Sequence, residues 1–176
     1  MSDPFQRLLE LESLCVERAA ALPAIDTDIH EWVGVGFNLG DTEYVSKMGE
    51  VVEILDLPQY TKVPGVKSWV IGIANVRGSL LPLMDLKGFI DPRVLVNRKQ
   101  CRVLVVRHKG TETGLVVDGV TGLKHFSLDE QTSELPKVDA EVKPFIKNAF
   151  QREEQLWPVF SLYELVDDER FLHASL

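Results

Sequence analysis

The chain has 176 residues, 45% hydrophobic and 26% charged, with a formal net charge of −8. That is the size and balance of one globular domain with a real core, and its acidic excess argues against nonspecific nucleic-acid binding as the main task. No apolar run approaches the ~18 residues of a membrane span, and the opening MSDPFQRLLELESLCVERAAAL lacks the basic stretch and apolar block of a secretory signal, so a cytoplasmic protein without direct membrane insertion is expected.

Ser2-Asp3-Pro4 ahead of FQRLLELESLCVERAA predicts a capped amphipathic helix, with proline where a first turn tolerates it. Phe5, Leu8, Leu9, Cys15, Val16 and Ala19 fall near helical spacing, and Pro23 ends the pattern. Residues 1–30 thus read as a helical extension and linker, and residues 31–176 as the domain proper. From Trp32 the period changes to two. EWVGVGFNLG alternates up to a turn at Gly40-Asp41, EYVSK resumes it, and EVVEIL (50–55) is a further strand ended by Leu57-Pro58. After a loop with two prolines comes VIGIANVR, whose alternation places Ile73 in the core. Gly78-Ser79 reads as a two-residue hairpin turn, and LLPLMDL returns, with Pro82 implying an edge position or a bulge. CRVLVVRH, TGLVVDGV and LKHF continue the series, PFIKNAF is strand or helical turn, LWPVF is the last strand, and SLYELVDDERFLHA is a closing helix. Short strands with glycine-rich turns and little helix between them predict a mainly β fold, a sandwich or small barrels. A parallel α/β architecture needs helical crossovers that this pattern lacks.

Charge is segregated along the chain. Residues 60–110 carry ten Lys or Arg against Asp85 and Asp91, while residues 1–59 hold twelve acids against three bases and residues 111–176 thirteen against six. The basic segment is a solvated face, a surface that orients docking, or the contact face of a nucleic-acid-binding small barrel. For the last, its aromatics Tyr60, Trp69 and Phe89 are sparse. Signs of chemistry are few. No phosphate-loop, H-E-x-x-H or G-x-S-x-G motif occurs, and the glycines of GVGFNLG lie within a strand. His30, His108, His125 and His173 lack ligand spacing, and the distant Cys15 and Cys101 form neither a disulfide framework nor a zinc site. No catalytic residue, metal or cofactor is expected, and the chain does not read as an enzyme. Asp85 and Asp118 each follow an apolar strand and either bond turn amides or face a pocket. Arg77, at the lip of the hairpin, either pairs with an acid such as Asp85 or presents its guanidinium to a partner.

The run IGIANVRGSLLPLMDL (71–86) resembles the signature hairpin of CheW-like domains. FNLGDTEY (37–44), EVVEI (50–54) and TGLVVDGV (113–120) resemble further segments of that family in order, and LWPVFSLYEL (156–165) is similar to its final strand and helix. The resemblance implies two small SH3-like β-barrel subdomains around a shared core, to which the residue pattern adds the N-terminal helix and the closing C-terminal helix. It also implies a noncatalytic adaptor that joins the cytoplasmic tip of a methyl-accepting chemoreceptor to a CheA-like histidine kinase, recruited to membrane-associated arrays. Residue by residue, it implies partner-binding roles for Arg77, Val51 and Glu53. Gly78 then matches a turn glycine needing positive φ, and Asp85 and Asp118 match structural acids. As a whole the chain resembles the pilus-linked branch of the family, which serves twitching motility driven by type IV pili. It departs from the pattern in its longer N-terminal extension, in Asn148 where the family has glycine, and in Ser161 where it has aspartate. Ser161 with Glu164 still forms the S-x-x-E pattern of a capping box.

Overall fold

The structure is a computed structural model and describes residues 5–8, 12, 31–92 and 101–175. Twelve strands follow one another: β1 (Glu31–Leu39), β2 (Thr42–Lys47), β3 (Val51–Asp56), β4 (Tyr60–Thr61), β5 (Val70–Val76), β6 (Ser79–Asp85), β7 (Arg102–His108), β8 (Thr111–Val117), β9 (Gly119–Ser127), β10 (Gln131–Thr132), β11 (Ile146–Arg152) and β12 (Gln155–Phe160). Among the residues described from Glu31 onward, three short α-helices accompany them: α1 (Leu86–Ile90) after β6, and α2 (Leu162–Asp167) and α3 (Glu169–Leu172) after β12. Residues 5–8 and 12 are helical; the rest of the expected N-terminal helix and linker lies outside the described residues.

The strands form two six-stranded sheets. The first runs β10-β11-β12-β2-β1-β9 and the second β3-β7-β8-β6-β5-β4. The second is therefore inserted whole between β2 and β9. No ladder joins the end strands of either sheet among the described residues, so the expected barrels are two open sheet subdomains. Each has its own apolar cluster. Val45, Phe126, Phe150 and Val159 fill the first, and Ile71, Leu81, Leu83, Val103 and Val116 are among those filling the second. A third cluster joins them, uniting Val35, Phe37 and Tyr44 of the first sheet with Leu104, Val106 and Leu115 of the second, and with Leu162 and Leu165 of α2.

The fine structure departs from strict alternation where ladders slip. Between Val70 and Gly72 the β5–β6 register shifts, so Ile71 (5% exposed) and Ala74 point inward while Ile73 is 36% exposed. The core position expected for Ile73 is thus overturned, because one extra residue exchanges the faces of a strand. Gly72 marks the spot: a Cβ there would stand 2.3 Å from the Thr61 carbonyl oxygen. Pro82 lies in an interior strand, yet β8 pairs with β6 only from Leu83 onward, so its missing N–H leaves no gap on that side. PFIKNAF resolves into a 3-10 turn, Lys143–Phe145, followed by β11. The expected closing helix is two helices broken at Asp168, whose carboxylate accepts the Arg170 N–H at 2.8 Å and caps α3.

Candidate functional site

The β5–β6 hairpin places Arg77. Val76 pairs with Ser79, so the turn residues are Arg77 and Gly78, one position earlier than the expected Gly78-Ser79. Their φ angles are +50° and +88°, the two positive values that a type I′ turn requires. The Asn75 Oδ1 accepts the Gly78 N–H at 2.9 Å and holds the loop. From there the Arg77 guanidinium donates to both carboxylate oxygens of Glu53, at 3.1 and 2.5 Å. Its side chain remains 76% exposed.

Asp85 is not the acid that Arg77 meets. It stands at the other end of β6, seven residues long, where its Oδ1 accepts the Gly88 N–H at 2.9 Å and caps α1. Asp118 accepts the Gly40 N–H at 2.6 Å and the Lys87 ammonium at 3.1 Å, tying the β1–β2 turn to α1. Each acid bonds a backbone N–H, and Asp118 also bonds the Lys87 ammonium. Val51 stands apart from Glu53 as well. A register shift on β3 between them leaves Val51 half-buried against the shared core, while Val52 is exposed.

Val52, Glu53, Val76, Arg77, Arg107 and Glu112 line a shallow groove of about 200 Å³. Arg107 and Glu112 face each other across the β7–β8 ladder and form a second ion pair, with Nε to Oε1 at 2.7 Å. The site is therefore an apolar strip between two arginine–carboxylate pairs. Sequence reasoning missed Arg107, Glu112 and Val52. The register of the tight β7–β8 hairpin could have found the first two, since HKGT fixes which residues lie opposite. Exposed pairs of this kind stabilise by only ~0–1 kcal/mol, but a guanidinium already oriented by one carboxylate can offer its remaining donors to an incoming partner.

The charge segregation of the sequence dissolves in space. Arg77 pairs with Glu53, Lys87 with Asp118, Arg102 with Asp56, Arg107 with Glu112, and Lys109 with Asp167. Arg93, Arg98 and Lys99 lie outside the described residues. Five of the seven described bases of the 60–110 segment are thus paired with acids from outside it, and the nucleic-acid alternative gains no support. Nor do three His, Cys, Asp or Glu side chains gather into a metal-binding group among the described residues.

A second contact region holds α2 across the two sheets. The Glu50 carboxylate, in the link between β2 and β3, accepts the Leu162 N–H at 2.6 Å and the Tyr163 N–H at 3.3 Å. Tyr163 Oη donates to the Gly49 carbonyl at 3.0 Å. The expected capping box is half formed. Ser161 Oγ accepts the Glu164 N–H at 3.3 Å, while the Glu164 carboxylate turns to an ion pair with Lys147. At the other end of α2, Asp167 receives Lys109 and His108, each at 2.9 Å. The hydrogen bonds from Lys109 and then His108 hold the Asp167 carboxyl below its ordinary value.

Among known proteins, the family model for the CheW-like domain matches residues 33–170. Protein PilI of Pseudomonas aeruginosa is 46% identical over 179 residues, covering 100% of both chains. Chemotaxis protein CheW of Bacillus subtilis is 24% identical over 135 residues, covering 76% of this chain and 85% of that one. The crystal structure of the scaffolding protein TtCheW from Thermoanaerobacter tengcongensis matches with a TM-score of 0.68 at 23% identity, over 79% of this chain and 94% of that chain.

Proposed function

Because the chain belongs to the CheW-like domain family, we propose that it is a noncatalytic signalling adaptor coupling a methyl-accepting chemoreceptor to a CheA-like histidine kinase. Its place is a chemosensory array that controls twitching by type IV pili, a reading supported by likeness to PilI along the whole chain. The observation that carries the adaptor reading is Arg77 itself. An arginine is kept at φ +50°, where glycine or asparagine is less strained, and it stands exposed over Glu53 on the hairpin whose sequence resembles the family signature. An exposed guanidinium already oriented by a carboxylate beside an apolar strip is suited to recognition.

In this role the protein moves no bonds. It carries a coupling free energy between two interfaces, and the cluster shared by the two sheets joins them mechanically. No described helix is long and apolar enough to cross a membrane. The adaptor works in the cytoplasm and is brought to the membrane by its receptor.

The test is affinity capture with the tagged full chain from lysate of cells that make it, partners being identified by mass spectrometry. Wild type is expected to retain a chemoreceptor and a histidine kinase, and Arg77→Glu, confirmed as folded, to lose at least one. Retention of neither by wild type would overturn the adaptor reading. Equal retention by both proteins would keep the adaptor and move its interface away from Arg77.

A further inference from the structure

The groove beside Arg77 is the open mouth of the second sheet. Glu53 lies on β3, at one end of that sheet, and Arg77 at the tip of the β5–β6 hairpin, near its other end. The Arg77–Glu53 pair therefore bridges two ends of a curled sheet rather than two neighbouring strands. Leu81 and Val105, 3% and 5% exposed, belong to the sheet's own apolar cluster and also line the mouth. Val52, 50% exposed, stands at its rim. A space of about 200 Å³ is smaller than the roughly 300 Å³ at which small-molecule sites begin. It has room for an inserted side chain.

Charge at the mouth is already balanced. Arg77 and Arg107 each give two hydrogen bonds to their own glutamate, so each pair is neutral as a unit. The arginine side chains are nevertheless 76% and 60% exposed, and a guanidinium has more N–H donors than these bonds use. A second carboxylate brought to either arginine would also meet the glutamate beside it, and a base would meet the guanidinium. A surface that sealed the mouth without supplying acceptors would strand the spare N–H groups out of water. An acceptor without net charge meets both requirements, as a backbone carbonyl or a side-chain amide oxygen does.

We propose that the mouth receives a single apolar side chain from another protein, and that uncharged oxygens flanking it, chiefly backbone carbonyls, take the spare donors of Arg77 and Arg107. The proposal rests on the reading of Arg77 as a partner-contact residue and gives it a second anchor. Two neutral pairs on opposite sides of the strip fix the orientation of what enters, because its carbonyls must face both at once. Neither pair carries the net charge that steers from a distance, so recognition here is short-ranged and resists salt. Partners are then told apart by shape and hydrogen bonding rather than by charge.

Randomised peptides displayed on phage and selected on the immobilised full chain supply the probes, which are then titrated into the isotope-labelled full chain. The expected binders share an apolar residue and carry no excess of acids. They should shift the Val76 and Arg107 amide signals, leave those of β9 unchanged, and lose less than about threefold in affinity between roughly 0.05 and 0.5 M salt. Arg107→Ala and Val52→Asp, both at exposed positions, should each weaken them about tenfold or more. Selection on Glu112→Gln, which frees the Arg107 cation, should turn to acidic peptides. Acidic binders on wild type that lose about tenfold or more in salt overturn the proposal, as does a selection that yields no binder at the mouth. Shifts at the mouth on concentrating the chain without peptide overturn it in favour of a second copy. No receptor or kinase takes part, so failure here is separable from failure of the adaptor reading.

Discussion

Arg77 and Glu53 are 24 residues apart and meet at a hairpin tip, and the balance of forces on Arg77 is close to zero. A left-handed backbone costs a residue with a Cβ roughly 1–2 kcal/mol. The exposed pair returns ~0–1 kcal/mol, and glycine in its place would add about 0.4–1 kcal/mol of unfolded-chain entropy to be lost. Arg77→Gly should therefore leave the melting temperature within about 4 °C of wild type while abolishing capture of at least one partner. A collapse of the melt would make Arg77 a structural residue instead. The position was legible because Arg77 is the one charged residue of the run from Trp69 to Met84. Its mate was not derivable from spacing, since nothing local to β3 or the hairpin encodes which strands will share an end. Val51 shows the same limit. Two residues from Glu53 in sequence, it is parted from it by a slip in the ladder that alternation does not reveal.

Among elements, β5 gives the sharpest test of such a slip. Ile71→Asp buries an unpaired carboxylate and should abolish cooperative unfolding, whereas Ile73→Asp, on the exposed face, should melt as a folded protein. Equal loss in both would return Ile73 to the core. Helix α2 offers a second test, because its N-terminal N–H groups are met by an acid 112 residues away. Glu50→Ala should cost about 0.5–2 kcal/mol, as loss of a cap does, read as a lower denaturant midpoint with unchanged slope. Ser161-x-x-Glu164 marked where α2 starts, but a local motif cannot announce a distant cap. At the helix's other end the Asp167 carboxyl is depressed below 3.8 by Lys109 and His108. A depressed acid stabilises the fold above its unfolded value, and that contribution drains away as pH falls through the folded value. Stability measured from pH 6 down to about pH 2 should accordingly fall less in Asp167→Asn than in wild type; identical slopes would show that the contact contributes nothing.

For the whole molecule, the cluster that joins the two sheets predicts one unfolding transition. Phe160 is fully buried and meets Phe37, Tyr44 and Phe145 edge-on or stacked. Phe160→Ala should cost about 3–5 kcal/mol, seen equally by tryptophan fluorescence and far-ultraviolet circular dichroism. Separate midpoints for the two probes would show that the sheets unfold independently. Period-two runs made the β class readable, yet they are silent on sheet membership. EYVSK and EVVEI are near neighbours in sequence and pair in different sheets. The charge blocks misled for a related reason, since acids of the flanking segments fold back onto the basic middle. Insertion also sets an order in time. Every ladder of the second sheet joins residues between 51 and 117, whereas β1 waits for β9 and β2 for β12. A chain leaving the ribosome from its N-terminus therefore has all the strands of its middle in hand while its first hairpin still has two open edges, and the part made first is the part finished last.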